Sequence, residues 1–535
     1  VDGLISTAFG QKSPNSVTQN NSHRQYLTGQ LIAEYKGVFG KHDINVLGGW
    51  SAEENLYEDL QGKRTNIVGN ELPALNLGDT DGWSNAADEN EWALLSGFMR
   101  ASYAFAAKYL VEVNFRADAS SRFSKKNRWG VFPSASVGWR ITEEKFMQNQ
   151  HIFDNLKLRA SWGQLGNQNG LGLYDHIASY NINGYYPFKS ELGQWAVISK
   201  LPSESRTWET VEVKNIAVDM AFLRNRLTVT GEYFIKKNKD MLVSIEIPSI
   251  IGIDVPTGNY GELKVKGWEV TVGWQDKIKD FSYGARFNLS DQKDKLVDYG
   301  VEYNGFVAGV NQKVQGYSLG SIFGYRTDGY FTSEEEVKNS AAFNKAITGV
   351  GDIKYIDKDG DGKISAPNDL EYLGTTTPRY TFGLNLTAAW KGFDLGVLLQ
   401  GVGKRNFYLS SEVMNPYYAT WNNFSYKMHN DYWTPENPNA AFPRYYAGAN
   451  HNYQISDHWL QNAAYVRLKN LQLGYTISPK LTKSWGIQRL RVYFSGDNLC
   501  EYSKLNDNFD PELSDINGYV YPIMRNFSFG INVTL

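Results

Sequence analysis

Carboxylate side chains stand at every second position from Asp357 to Asp361, and this spacing is suited to binding a calcium ion. Asp357, Asp359 and Asp361 can direct hard oxygen ligands towards one cation. Gly362 permits the sharp turn that such a loop needs, and the Lys363 carbonyl offers a ligand at the seventh position. The pattern therefore predicts a calcium site in the loop 357–369.

The end of this calcium loop departs from the usual pattern. A bidentate acid normally stands at the twelfth position, but Asn368 occupies it here. Asp369 is the best substitute, since Pro367 suggests a one-residue insertion, and Glu371 is a weaker candidate. The alternative is an Asp- and Gly-rich loop that is held by Asx turns without a metal. A bound calcium ion would stiffen the loop and perform no chemistry.

Aromatic side chains are concentrated in two long stretches, 165–207 and 410–463. Flat amphipathic rings stack on sugar faces or on peptide side chains, while their OH and NH groups form hydrogen bonds. The alternative is that these rings pack the loops against one another or contact a partner protein. The candidates for contact with a ligand or a partner are Tyr185, Tyr186, Trp195, Tyr417, Tyr418, Trp421, Tyr432 and Trp433.

Catalysis has little support in the sequence. The histidines form no HExxH or other metal-binding spacing, and no GxSxG motif, P-loop or Rossmann fingerprint in βα context occurs. Cys500 is the single cysteine, so neither an internal disulfide nor a thiolate cluster is possible. The formal net charge of −3 leaves no basic excess for a phosphate backbone. We therefore predict that the protein is not an enzyme and does not bind nucleic acid.

The elements that must position these residues are β-strands, because the dominant hydrophobic period is two. Tyr109, Val111, Val113 and Phe115, for example, alternate with mostly polar neighbours. No run of roughly 20 apolar residues occurs, so no transmembrane helix is expected. Fifteen strands are predicted, near 26–37, 43–57, 92–105, 108–122, 130–142, 155–164, 208–221, 226–241, 262–276, 281–296, 378–390, 393–409, 464–477, 487–499 and 522–534.

The connections between these strands alternate between short and long, with the link at 123–129 as a short exception. This is the pattern of a transmembrane antiparallel β-barrel, which has short periplasmic turns and long extracellular loops. A soluble β-sandwich has no reason to sort its loops in this way. The all-β barrel prediction has long loops near 58–91, 165–207, 242–261, 297–377, 410–463 and 500–521.

An odd number of strands is unusual for such a barrel. Bacterial single-chain barrels have an even number of strands and both chain ends in the periplasm. With fifteen strands the first and last cannot pair antiparallel, and an open edge that faces lipid costs several kcal/mol per unpaired backbone group. Either the count is wrong by one, or strands are missing before Val1. We expect missing strands.

Several strings, taken in order, resemble the SusC/RagA-type TonB-dependent transporters. The resemblance spans nearly the whole chain and is specific in combination, although no single string is. The strings are RADASSRF at 116–123, RWGVFPSASVGWR at 128–140, LKLRASWGQLGNQ at 156–168, NRLTVTGEYFIKKNKDML at 225–242, NYGELKVKGWEV at 259–270, GDIKYIDKDGDGKIS at 351–365, TPRYTFGLNLTAAWKGFDLGVLLQG at 377–401, YVRLKNLQLGYTI at 465–477, NFDPE at 508–512 and YPIMRNFSFGINVTL at 521–535.

The resemblance implies a 22-stranded barrel in the outer membrane of a Gram-negative bacterium, of which residues 1–535 are the C-terminal part. An N-terminal plug that contacts the TonB complex has no counterpart in this chain. The implied function is TonB-dependent import of glycan fragments or oligopeptides, with a SusD-like surface lipoprotein as a lid. Two alternatives stay open: a passive porin of fourteen or sixteen strands, and a soluble β-rich protein that acts on glycans.

Overall fold

A computed structural model describes most of the residues of the chain. These are 14–68, 71–188, 191–244, 250, 257–300, 306–417, 426–446, 449–506, 509–513 and 523–535.

Strands dominate the described residues, and the helices between them are short. None of these helices is long and apolar enough to cross a membrane. The α-helices are Glu334–Asn339, Ser411–Met414 and Pro479–Thr482, and the 3-10 turns are Leu75–Leu77, Ile141–Glu143, Lys145–Met147, Lys427–Asn430, His451–Tyr453, Asp457–Trp459 and Lys483–Trp485. The strands are β1 (Ser16–Phe39), β2 (His42–Thr65), β3 (Ser84–Phe105), β4 (Tyr109–Ser120), β5 (Trp129–Arg140), β6 (Phe153–Asn167), β7 (Ser179–Phe188), β8 (Glu191–Lys200), β9 (Glu209–Phe222), β10 (Leu227–Val243), β11 (Gly258–Ile278), β12 (Phe281–Tyr299), β13 (Gly309–Gln312), β14 (Ser321–Tyr325), β15 (Thr327–Tyr330), β16 (Ile353–Tyr355), β17 (Leu370–Thr375), β18 (Arg379–Trp390), β19 (Phe393–Lys404), β20 (Asn406–Tyr408), β21 (Leu460–Asn462), β22 (Tyr465–Thr476), β23 (Arg489–Ser503) and β24 (Asn526–Thr534).

One antiparallel sheet contains fifteen of these strands, in the order β1-β2-β3-β4-β5-β6-β9-β10-β11-β12-β18-β19-β22-β23-β24. The predicted all-β fold is confirmed, and each of the fifteen predicted strands matches one strand of this sheet. The other nine strands form small sheets within the long connections. Within the described residues β1 and β24 are the two edges, so the sheet does not close on itself.

The two faces of the sheet differ in chemistry, as the period of two requires. On β4, Val111, Val113 and Phe115 point to the outer face and are well exposed. The intervening Glu112 points to the inner face, where it accepts a hydrogen bond from Ser102 at 2.8 Å. A lysine at an outward position such as Val113 would cost about 2–4 kcal/mol near the bilayer midplane.

The connections alternate in length as predicted, with the expected exception of the link between β4 and β5, which is short although it lies at the long-loop end. Two-residue turns join β1 to β2, β11 to β12 and β18 to β19. In the last of these, Lys391 and Gly392 both have positive φ, at 44° and 94°. Two such residues in succession match the right-handed twist of the flanking strands.

The long connections are folded around a core of their own. We call this unit the loop assembly and define it as the described residues of 306–378, 405–464 and 504–513. Its centre holds Trp459, Val413, Leu370 and Ile353, each at most 2 % exposed. Aromatic rings pack around them, among them Phe442 against Trp459 at 5.8 Å. The described parts of these three connections therefore pack against one another around one shared core.

Candidate functional site

The predicted calcium loop brings its three alternate carboxylates together. Ligand oxygens of Asp357, Asp359 and Asp361 all lie within 4.8 Å of one another. Asp357 accepts backbone hydrogen bonds from Gly360 at 2.7 Å and from Gly362 at 2.8 Å. Desolvation opposes ionisation of Asp357, but the hydrogen bonds from Gly362 and Gly360 outweigh it and hold its pKa below the ordinary value. The three carboxylates can thus converge on one cation.

Asp369 stands apart from that trio. It is buried, and its two carboxylate oxygens accept hydrogen bonds from the backbone N–H groups of Lys358 at 2.8 Å and Ser365 at 2.7 Å. Asp369 therefore fastens the base of the loop. Lys363 donates its backbone N–H to Asp361 Oδ1 at 2.8 Å, and its carbonyl is the part of this residue that was predicted to bind the ion.

A buried carboxylate near this loop, Asp352, joins the two largest loops of the assembly. It is fully buried and accepts hydrogen bonds from Arg444 Nε at 3.1 Å, Asn452 Nδ2 at 2.9 Å, His451 Nε2 at 3.0 Å and the Tyr446 hydroxyl at 3.1 Å. Burial alone would raise the pKa of Asp352, but the hydrogen bonds from His451 and Asn452 lower it overall. Sequence reasoning missed this residue, because its partners lie about a hundred positions away.

A second charged centre fixes the last long loop to the barrel wall. Arg467, on β22, is only 2 % exposed. Its guanidinium forms ion pairs with Glu501, with Asp510 at 2.7 Å and with Glu512 at 3.2 Å. Lys469, two positions along the same strand, binds Glu512 at 2.7 Å. Asp510 and Glu512 thus attach the described segment 509–513 to β22.

Arg405 strengthens the same attachment through backbone groups. It donates hydrogen bonds to the carbonyl of Pro511 and, at 2.7 Å, to the carbonyl of Leu513. In the sequence NFDPE stands out only as a family string, and no local pattern identifies Arg405 or Arg467 as the partners of this segment.

The predicted aromatic residues of the loop 410–463 differ in their surroundings. Tyr417 and Tyr432 are both exposed, and both lie beside Tyr445, with ring centroids 6.0 Å and 5.5 Å away. The ring of Trp433 packs closely over Gly351, so it also serves the packing of the assembly. Tyr417 and Tyr432 are the better placed to meet a ligand.

The other predicted aromatic residues lie on the hairpin of β7 and β8. Tyr185 and Tyr186 are among its most exposed side chains. The Trp195 ring lies over Gly184 of the paired strand, where a Cβ atom would clash with it. Two predicted residues lie outside the described part of the chain: Tyr418 and Trp421.

The inner face of the sheet is lined by paired charges. Arg159 on β6 binds Asp219 on β9 at 2.8 Å and Glu232 on β10 at 3.5 Å. Arg491 on β23 binds Asp394 on β19 at 2.5 Å. Such a wall is hydrated and polar, and it suits a lumen that contacts solutes or another polar domain.

Comparisons with known proteins agree with this geometry. A family model described as "TonB dependent receptor-like, beta-barrel" matches residues 3–499. Two TonB-dependent receptors of Formosa agariphila are 28 % and 30 % identical over 96 % and 94 % of this chain, and each match covers 52 % of the relative. The TonB-dependent receptor SusC of Bacteroides thetaiotaomicron is 28 % identical over 82 % of this chain and 43 % of its own length.

Solved structures show the same fold. The RagAB peptide importer in its open-open state has a TM-score of 0.81 at 23 % sequence identity, and the match covers 97 % of this chain and 56 % of that chain. The RagAB peptide transporter gives a TM-score of 0.78 over 91 % of this chain and 53 % of that chain. The chain spans about half the length of the curated relatives it matches.

Proposed function

The chain belongs to the TonB-dependent receptor-like β-barrel family, and we propose that it forms the C-terminal part of the barrel of an active nutrient importer. The family resemblance expected from the sequence is confirmed. Its members are outer-membrane proteins of Gram-negative bacteria, and the protein is located there. The relatives are receptors and transporters rather than enzymes.

The direction of the two edge strands is the observation that carries this proposal. β1 and β24 both run from the long-loop end of the sheet to the short-turn end. Antiparallel closure therefore needs an odd number of further strands between them. A barrel of about 22 strands meets this requirement, and barrels of that size carry a plugged lumen. The whole protein would supply these strands, a plug and a segment that contacts TonB.

The substrate we propose is a glycan fragment or an oligopeptide that is too large for a porin. The exposed rings of Tyr417, Tyr432, Tyr185 and Tyr186 offer apolar faces with hydrogen-bonding edges, which suit either class. A SusD-like surface lipoprotein would cover these loops as a lid. Exposed aromatic residues at the same end of the barrel are the kind of surface that such a partner would bury.

Import would proceed without bond chemistry. Substrate binding and lid closure shift the population towards a closed complex. Energy from TonB, acting on the plug, would then open a path to the periplasm. In this mechanism the chain contributes the polar lumen wall, and the packed loop assembly holds the exposed rings of Tyr417 and Tyr432 in position for binding.

A structural calcium ion is part of the proposal. Asp357, Asp359 and Asp361 would hold it, because three carboxylates whose oxygens lie so close repel one another unless a cation intervenes. Lys363 would add its carbonyl. Asp369 would support the site without contacting the ion, because both of its oxygens already accept hydrogen bonds from the backbone of the loop. The ion would stiffen the loop assembly and take no part in transport chemistry.

Two experiments test the partner and the substrate. Affinity purification of the tagged whole protein from native outer membranes should recover a surface lipoprotein. A strain that lacks the gene should lose growth on either oligopeptides or glycan fragments as sole nutrient, and the complemented strain should regain it. Recovery of the barrel alone, with growth unchanged on both nutrients, would contradict the proposal.

The two alternatives have less support. A porin should close as an even-stranded barrel, whereas the described strands of this chain end in two edges that run in the same direction. A soluble glycan-active protein should bury an apolar core between two sheets. Here the apolar outer face of one sheet is exposed, as at Val111 and Ile216.

A further inference from the structure

Lysines form a compact ladder on the outer face of β9, β10, β11 and β12, towards the long-loop end. The strand registers place residues of all four strands side by side on two neighbouring rungs. We define the lysine ladder as the six lysines of these rungs. From β9 to β12 the rungs read Lys214, Ile235, Lys266 and Lys293, then Glu212, Lys237, Lys264 and Lys295.

Like charges directly face one another in this ladder. In the register of β11 and β12, Lys266 lies directly opposite Lys293, and Lys264 lies directly opposite Lys295. Directly opposed side chains in a sheet have Cβ atoms about 5 Å apart, and like charges at that distance destabilise the sheet. Two such pairs on successive rungs therefore lower the stability of this part of the sheet. Sites of this kind are expected where a ligand of opposite charge provides the compensation.

Carboxylates of the sheet neutralise only the β9–β10 side of the ladder. Glu212 binds Lys214 at 3.2 Å and Lys239 at 2.5 Å, and Glu262 lies 3.7 Å from Lys237. Among the described residues, none forms an ion pair with the four lysines that oppose one another: Lys264, Lys266, Lys293 and Lys295. On these two rungs the β11–β12 side therefore presents four ammonium groups without an ion-pair partner among the described residues, and the nearest carboxylates of the same strand pair towards the long-loop end are Glu262 and Asp298 on the adjoining rung.

The rung below the ladder marks where the apolar belt begins. It reads Ile216, Tyr233, Trp268 and Asp291 from β9 to β12. The carboxylate of Asp291 is occupied by Arg379, which binds it at 2.6 Å through Nη2. Aromatic residues at this level are typical of the border between the hydrocarbon and the headgroups. The ladder thus lies at headgroup height.

An apolar cleft of about 580 Å³ opens on the same outer face, next to the ladder. It is lined by the small side chains of Ala135 and Ala160 and by larger ones, including Trp162, Ile216 and Tyr233. Lys214 of the ladder also lines this cleft. A cation at one end of an apolar cleft matches an amphiphile with an anionic head and a hydrocarbon tail.

We propose that the lysine ladder binds the phosphorylated headgroup of an outer-leaflet glycolipid, with an acyl chain in the neighbouring cleft. Ammonium groups bind phosphate as point charges, and basic clusters at the membrane border are typical of anionic-lipid sites. The long lysine stems can lie along the apolar belt while their charges reach the headgroups. Because the bilayer brings its headgroups to this height, a lipid is the occupant that the position favours. The proposal depends on the outer-membrane location and not on the transported substrate.

Native mass spectrometry of the detergent-purified whole protein, titrated with bisphosphorylated lipid A, tests the proposal. The variant Lys264→Gln/Lys266→Gln/Lys293→Gln/Lys295→Gln should raise the Kd for this lipid at least about tenfold. The one-rung variant Lys266→Gln/Lys293→Gln should give a smaller increase in this Kd. It keeps the proposal testable if the fourfold variant does not fold. The matched control changes four exposed lysines of the short-turn end: Lys41, Lys279, Lys480 and Lys483.

The control should bind lipid A as the wild type does, and heat-modifiable electrophoretic mobility should show that all variants are folded barrels. Lipid A treated with a phosphatase should bind weakly to the wild type. Equal binding by wild type and ladder variants would overturn the proposal, as would undiminished binding of the dephosphorylated lipid. Displacement of lipid A by millimolar inorganic phosphate would overturn the choice of a lipid as occupant.

Discussion

Asp352 and His451 form a buried hydrogen bond of 3.0 Å between residues 99 positions apart. The contact joins the connection that precedes β18 to the connection that precedes β22, at the centre of the loop assembly. Because Asp352 accepts three further side-chain hydrogen bonds, one carboxylate fixes how the two longest loops sit against each other. The positions of the exposed Tyr417 and Tyr432 depend on this packing of the two loops.

Replacing Asp352 with asparagine should open the loop assembly and leave the barrel strands intact. Breaking a buried charged pair costs roughly 3–5 kcal/mol, and here the amide removes the negative charge and replaces one of the two acceptor oxygens with a donor that faces other donors. Hydrogen exchange should show faster exchange at 449–459 with unchanged protection in β22 and β23. The control Asp328→Asn removes an exposed carboxylate that binds Lys354 at 3.0 Å, and it should leave both regions unchanged. Uniform loss of protection across the barrel would contradict this account.

The pH dependence of loop protection follows from the lowered pKa of Asp352. Burial opposes the shift, and the hydrogen bonds from His451 and Asn452 produce it. A group with a depressed folded pKa stabilises the fold above its unfolded pKa, about 3.9 for aspartate, and this contribution is lost as the pH falls through the folded value. Hydrogen exchange corrected for intrinsic rates should therefore show constant protection from about pH 7 to 5 and a decline below about 4. A decline between pH 7 and 5 would assign the effect to another group.

Calcium should bind to the loop 357–369 with a Kd on the order of 10⁻⁴ M, the range of extracellular modules. Asp359→Asn keeps the shape of the side chain and removes one ligand charge, so the Kd should rise at least about tenfold. Isothermal titration of the whole protein measures both values, and Asp328→Asn again serves as the control. The absence of any calcium-dependent heat in the wild type would show that Asx turns alone hold the loop.

The ion pairs of Arg467 with Glu501, Asp510 and Glu512 predict a second local effect. Arg467→Met removes the buried cation that Glu501, Asp510 and Glu512 share, and the three carboxylates then repel one another. The segment 509–513 should become sensitive to limited proteolysis, at a local cost of roughly 3–5 kcal/mol. Arg489→Met, on the same sheet but at an exposed position, is the control. Equal resistance of both variants would show that these ion pairs do not hold the segment.

The exposed rings of Tyr417 and Tyr432 should contribute to substrate binding. The double variant Tyr417→Ala/Tyr432→Ala should weaken binding of the transported oligomer by about 1–3 kcal/mol, in line with the loss of stacking and apolar contact. Equilibrium binding to the whole protein with its lipoprotein partner measures the change. Tyr283→Ala, on the outer face of β12, is the control and should bind normally. Unchanged binding by the double variant would assign these rings to loop packing.

The strands could be predicted because each carries its own alternation. Val111, Val113 and Phe115 reveal β4 without knowledge of any other strand. The ends were less predictable: β1 begins at Ser16 rather than near 26, since residues 16–25 are mostly polar. Strand segments that project beyond the membrane need no apolar face, so the hydrophobic signal disappears where the strand continues.

The site was predictable only where its residues are neighbours in sequence. The spacing of Asp357, Asp359 and Asp361 fixes their convergence through local turns, and the structure brings them together as expected. Asp352 and Arg467 depend on partners from distant segments, which no local pattern contains. The role of Asp369 also differs in detail, because its oxygens are used by the backbone of its own loop.

Energy-dependent uptake by cells that express the whole protein tests the central claim most directly. A fluorescent oligomer above the porin size limit would be followed into the periplasm in a strain with TonB and in an otherwise identical strain without it. Our account predicts uptake in the first strain and surface binding without uptake in the second. Equal uptake in both strains would show that the barrel is a passive pore, and the importer proposal would have to be abandoned.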